Sequence, residues 1–270
     1  MAKKNIEYTA RVVFLHGFTQ SASAFYAKTS ALRKKLASLK LKAVYLNAPI
    51  QLTPAQLPTT DSLSRFGAVG GDDDLVKYRA WWIKNPDNTY EIDSAIESVK
   101  KYMDENAILN EESGEYEKQD EEDTKLPIKG LIGFSQGACF AGAMVHKFEE
   151  LFGAPLDFAV LYSGFRIDTS LMPEIKKYYT EDDGESTKAR LLHVVGELDT
   201  VVGEDRAYTF YESSKKNSDL LKHPGGHFVP NSKLLVDQVV NWIQQEEKKA
   251  EEKKDDSVDD ILAMMDKVGV

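Results

Sequence analysis

The stretch Leu131-Ile132-Gly133-Phe134-Ser135-Gln136-Gly137-Ala138 constrains this chain more than any other. Ile128 and Leu131-Ile132 read as a short buried strand. Residues 138–148, with Ala141, Met144, Val145 and Phe148 at helical spacing, read as a helix packed on one side. Between them lies Gly133-x-Ser135-x-Gly137. A strand that turns directly into a helix makes a turn too tight for side chains two positions either side of its apex, hence glycine at both. The apex serine is then held clear of the sheet with its oxygen exposed. The new helix adds N–H groups without intrahelical partners and the positive end of its dipole, both suited to a developing oxyanion. Three fixed positions in five recur by chance, so a glycine-rich turn with an incidental serine is the competing reading.

The rest of the chain alternates strands with helices. Arg11-Val12-Val13-Phe14-Leu15, Ala43-Val44-Tyr45-Leu46, Phe158-Ala159-Val160-Leu161-Tyr162 and Arg190-Leu191-Leu192-His193-Val194-Val195 are apolar, β-branched runs, and Leu220 to His223 is a short last strand. The spacing predicts one helix over residues 21–40, an amphipathic one over 91–103, and one capped by Asn231 that runs to Ile243. This alternation predicts an α/β fold: a mostly parallel central sheet with helices on both faces, and a ligand site outside the carboxyl ends of its strands.

Residues 50–74 carry too many prolines and glycines for long elements and read as a lid or pocket wall. They lead to Trp81 and Trp82, which either line a substrate pocket or plug the top of the core; spacing leaves both open. Residues 110–125 hold eight acidic side chains in a pattern unlike a calcium loop and read as a mobile surface excursion. Residues 8–245 thus form one domain with this insert. Residues 246–270 are expected to form a charged linker and a short amphipathic tail that docks back on the domain, takes a protein partner or does little.

The composition excludes several classes. Net charge is −10 with no basic cluster, which argues against a nucleic-acid surface. The single cysteine, Cys139, allows no intrachain disulfide and no multi-cysteine metal site. No apolar run approaches the ~20 residues that span a bilayer, and Met1 to Asn5 leads into a strand without a secretory apolar segment. The expected location is cytoplasmic, with the nucleus also open.

A serine hydroxyl attacks a carbonyl only with a base in reach, and the base needs an orienting carboxylate. Of the five histidines, His146 lies inside a helix, His193 inside a strand, and His16 reads as a ring bonded to backbone that shapes its loop. His227 sits on a glycine-freed loop past the last strand, where a base can swing over Ser135. Asp199 directly follows a strand end. As a turn aspartate and a loop histidine each is unremarked; together with Ser135 they give the order Ser, Asp, His, each just past a strand.

His16-Gly17-Phe18, Gly133-Phe134-Ser135-Gln136-Gly137, Gly196-Glu197-Leu198-Asp199 and His223-Pro224-Gly225-Gly226-His227-Phe228-Val229-Pro230 together resemble the fungal family of serine hydrolases (the FSH family), related to the animal ovarian-cancer-associated serine hydrolase. The last run is the most specific part, and the resemblance spans about residues 12–243. It implies an α/β-hydrolase fold, hydrolysis of a small-molecule ester, and a triad carried here by Ser135, Asp199 and His227. Backbone N–H groups of Phe18 and Gln136 would form the oxyanion hole. Such chemistry calls for no metal and no organic cofactor. A thioester would suit the same site. A hydrolase fold kept as a non-catalytic binding protein is the reading from another class, and the intact triad argues against it.

Overall fold

The computed structural model describes residues 6–57, 78–87, 89–170, 173–178, 188–246 and 248. Ten strands occur among them: β1 Ala10–Leu15, β2 Leu41–Leu46, β3 Ile50–Gln51, β4 Arg79–Ala80, β5 Ala107–Leu109, β6 Tyr116–Lys118, β7 Ile128–Phe134, β8 Phe158–Tyr162, β9 Arg190–Gly196 and β10 Ser218–His223. Six of them form one sheet in the order β10-β9-β8-β7-β1-β2, and every neighbouring pair runs parallel. The helices are α1 Ala22–Lys28, α2 Ser30–Ser38, α3 Asp93–Glu105, α4 Gln136–Val145, α5 Phe148–Phe152, α6 Glu204–Ser213 and α7, residues 233–246.

Alternate side chains of the strands enter two cores. Val13, Leu15, Leu131, Ala159 and Leu161 pack against α3, α4 and Phe210 of α6. Val12, Phe14, Ile132, Phe134 and Val160 pack against α1, α2 and α7. Burial on both faces explains why these strands read as continuous apolar runs without polar alternation. Strand order reverses between β1 and β7, whose carboxyl ends carry His16-Gly17-Phe18 and Ser135. That is the switch point where an open parallel sheet leaves a crevice.

Three expectations need correction. The helix over 21–40 is split at Thr29, whose hydroxyl lies 2.7 Å from both the Phe25 carbonyl and the Tyr45 hydroxyl. A threonine that bonds its own preceding turn bends the chain there. The acidic insert forms a β-hairpin, with β5 and β6 antiparallel. Glu111 accepts from the Ser23 hydroxyl and, at 3.3 Å, from the Ser23 N–H at the start of α1. Asp123 pairs with Lys42 on β2. The cap of α7 is Ser232 and not Asn231: the helix starts at residue 233, and the Ser232 hydroxyl lies 3.5 Å from the Leu235 N–H. The predicted lid over 50–74 lies largely outside the described residues, as does the tail. No helix among the described residues is long and apolar enough to cross a membrane.

Candidate active site

Ser135 sits between β7 and α4 at φ 51°, ψ −117°. This conformation costs a residue with a Cβ about 1–3 kcal/mol and persists only where the surroundings enforce it. Here they do. The Ser135 N–H donates to Tyr162 O at 2.9 Å, and its carbonyl accepts from Cys139 N–H at 3.0 Å. A Cβ on Gly133 would come within 2.5 Å of the Ala138 Cα, and one on Gly137 within 2.1 Å of the Leu15 carbonyl oxygen. Both glycines are therefore required by close backbone approach across the elbow.

His227 Nε2 lies 3.0 Å from Ser135 Oγ, and His227 Nδ1 lies 2.8 Å from Asp199 Oδ2. All three side chains are nearly enclosed. Asp199 is anchored through its other oxygen, Oδ1, which accepts from the N–H groups of Val201 and Val202 at 2.9 Å each. Burial opposes its ionisation, but the His227 hydrogen bond and charge, with those two N–H groups, hold its carboxyl below its ordinary value. The imidazole rests against the Phe134 ring, centroids 4.9 Å apart.

The loops that carry Asp199 and His227 are locked to each other. Glu197 N–H donates to His223 O at 2.9 Å and Leu198 N–H to Gly225 O at 3.0 Å. This contact passes over Gly196, where a Cβ would lie 2.6 Å from two carbonyl oxygens. The glycines of both motifs are thus one close-packed junction that sets the distance between Asp199 and His227.

His16 does not reach the serine. Its Nδ1 donates to Gly17 O at 2.8 Å and its Nε2 accepts from Ala48 N–H at 3.0 Å. Full burial lowers its pKa to about 4, against the hydrogen bond to Gly17. The next residue but one, Phe18, lines the same cavity as Ser135 and Gln136. Gln136 is the first residue of α4, so its N–H has no intrahelical acceptor.

The family model described as serine hydrolase (FSH1) matches residues 6–239. The chain belongs to that family. Family of serine hydrolases 3 of Saccharomyces cerevisiae is 33% identical over 288 aligned positions, covering 96% of this chain and 97% of the relative. Esterase OVCA2 of Danio rerio is 31% identical, covering 82% and 90%. Among solved structures, Zea mays acyl-protein thioesterase 2 superposes with a TM-score of 0.55 at 16% identity, covering 91% of this chain and 96% of that one. Esterase PE8 superposes at 0.53 and 16%, covering 89% and 94%. These likenesses place the family member in the α/β-hydrolase fold.

In this FSH1-family chain the two tryptophans part company. Trp81 is fully buried, stacks on Phe140 at 5.0 Å and donates its Nε1–H to His16 O at 2.8 Å. It is a core residue that fixes the loop after β1, and the expectation that it lines the pocket is corrected. Trp82 lines the cavity of about 260 Å³ that opens on Ser135 and an adjoining one of about 300 Å³. Trp81→Ala is expected to cost roughly 3–5 kcal/mol of stability, read as a fall in unfolding temperature. Trp82→Ala is expected to shift selectivity along a graded ester series. Equal selectivity changes in the two folded variants would contradict this division.

Sequence reasoning missed three contributors. Phe165 and Arg206 line the Ser135 cavity, and no motif marks either of them; the third is the Gln136 side chain, whose bonds to Trp81 and Trp82 the elbow motif does not announce. Only the turn after Asp199 had a usable signal, since an aspartate two and three residues ahead of N–H groups favours such an anchor. Among the described residues no His, Cys, Asp and Glu side chains gather as a metal-holding group.

His193, read as a core residue, lies 3.2 Å through Nε2 from the Ser214 hydroxyl, and burial lowers its pKa to about 3. The unfolded chain protonates both His16 and His193 as pH falls through about 6.5, whereas the folded protein refuses those protons until about 4 and about 3. The unfolded state binds more protons in that window. Stability present above pH ~6.5 is therefore lost as pH falls towards 4. His193→Phe is expected to flatten the plot of unfolding free energy against pH by about one proton. Denaturant titrations between about pH 7 and 4.5 check this, and an unchanged slope would contradict it.

Proposed function

We propose that this serine hydrolase cleaves carboxylic esters by transferring the acyl group first to Ser135 and then to water. As Ser135 Oγ attacks the ester carbonyl, His227 Nε2 takes its proton. Asp199 holds the Nδ1–H tautomer and stabilises the imidazolium. The carbonyl oxygen gains charge as the tetrahedral intermediate forms, and the N–H groups of Phe18 and Gln136 receive it. Collapse expels the alcohol, which leaves with the proton from His227. Water, deprotonated by the same imidazole, then attacks the acyl-enzyme and releases the acid and Ser135.

The observation that supports this reading is the unbroken chain Ser135 Oγ, His227, Asp199, with contacts of 3.0 and 2.8 Å, at the mouth of a cavity and at the start of a helix. A fluorophosphonate probe should label the native protein on Ser135 and leave Ser135→Ala unlabelled. Equal labelling of both, or of neither, would reject the assignment. Thioesters present the same carbonyl to the same groups, and a panel of p-nitrophenyl esters and acyl thioesters of graded length separates the two classes.

A further inference from the structure

Arg206, in the first turn of α6, lines the Ser135 cavity beside Phe165, Val202 and Trp82. Its guanidinium lies 4.0 Å from the centroid of the Phe165 ring. A cation–π contact of this kind uses the charge of the guanidinium and none of its N–H donors. Among the described residues no carboxylate takes those donors. Glu204, two residues earlier, pairs with Lys222 at 3.0 Å. Asp199, also close to this cavity, commits one oxygen to His227 and the other to the Val201 and Val202 N–H groups. Arg206 is exposed to solvent at the cavity rim, so its charge is open to a ligand entering the cavity of the reactive serine. An ester has two ends, and the adjoining cavity shares Phe18, Trp82 and Gln136 with the first. One end of the substrate therefore occupies the Arg206 side when Ser135 meets the carbonyl.

We infer that Arg206 is a specificity-determining residue that receives a carboxylate on the part of the ester seated in the Ser135 cavity. The substrate class is then monoesters of dicarboxylic acids, or esters of hydroxy acids, according to which end of the ester lies there. The inference rests on the reading of Ser135 as the nucleophile. A guanidinium binds a carboxylate through two parallel charge-assisted hydrogen bonds, so its removal should be felt only by the charged substrates.

Two matched pairs test this. Monomethyl adipate against methyl hexanoate carries the charge on the acyl side. The butyrate ester of γ-hydroxybutyrate against butyl butyrate carries it on the alcohol side. The readout is the charged-to-neutral ratio of kcat/KM in the native protein, Arg206→Gln and Arg206→Lys, with fluorophosphonate labelling of Ser135 in each. For one of the pairs the ratio is expected to fall about tenfold or more in Arg206→Gln and to recover in part in Arg206→Lys. The native preference should also weaken at high salt. Ratios equal within about twofold for both pairs, with Ser135 still labelled, overturn the inference and leave the hydrolase reading standing. Absence of labelling in the native protein overturns that reading and this inference with it.

Discussion

Replacing Ser135 with alanine is expected to lower kcat for short esters by roughly 10⁵- to 10⁶-fold, as removal of a nucleophile does where nucleophile and base act as a unit. The fold should survive. Alanine keeps the Cβ, so the backbone cost at φ 51° is unchanged, and the glycines that shape the elbow are untouched. What is lost is one hydroxyl and its contact with His227, worth about 1 kcal/mol. His227→Ala should cost a similar factor in kcat, and the double variant little more, because neither group acts without the other. Steady-state kinetics on the two single variants and the double decide it. Losses below about a hundredfold, or losses that multiply in the double variant, would mean that the two residues do not act together.

Asp199→Asn is expected to lower kcat by about 10⁴-fold with little change in stability. The substitution is nearly isosteric, and the amide oxygen can still accept from the Val201 and Val202 N–H groups that Asp199 Oδ1 now binds. The amide nitrogen then faces His227 Nδ1 as a donor. The ring answers by placing its proton on Nε2, the atom that must accept from Ser135. The base is present but carries its proton on the wrong side. Asp199→Ala should be less stable than Asp199→Asn, since it strips two buried N–H groups of their acceptor. Comparing kcat and unfolding temperature across the two variants separates the orienting role from the anchoring one. A loss in Asp199→Asn of less than about tenfold would show that the tautomer is fixed some other way.

The convergence of Ser135, Asp199 and His227 is legible in the sequence because each follows a strand, and a parallel sheet brings all its strand ends to one side. The glycine-flanked serine and the Gly-Gly-His loop mark positions where backbone approaches backbone, a demand that leaves a direct trace in residue type. The split at Thr29 leaves none, because it depends on a hydroxyl that meets Tyr45 from a strand sixteen residues on. The hairpin in the acidic insert escapes for a related reason. Its strands are short and mostly polar, and side chains such as Asn110, which accepts from the Glu112 and Ser113 N–H groups, shape its turn. Trp81 and Trp82 are adjacent and identical, so only tertiary contacts can tell the core residue from the cavity wall. Arg206 has no motif at all. Its place follows from the helix that carries it, and the lack of an acidic partner among the described residues is a property of the neighbourhood and not of the residue.

The side chain of Gln136 reaches the segment before α3 as a substitute peptide unit. Its carbonyl oxygen accepts the Trp81 N–H at 2.8 Å and its amide donates to the Trp82 carbonyl at 2.8 Å. A neighbouring strand would offer the same donor and acceptor, so residues 81–82 are paired as though an extra strand lay beside them. Under the proposed mechanism Gln136 thereby has two tasks, one through its main-chain N–H and one through its side chain. Glutamate could not inherit the second: it would set a carboxylate oxygen against the Trp82 carbonyl oxygen and detach residues 81–82 from the elbow.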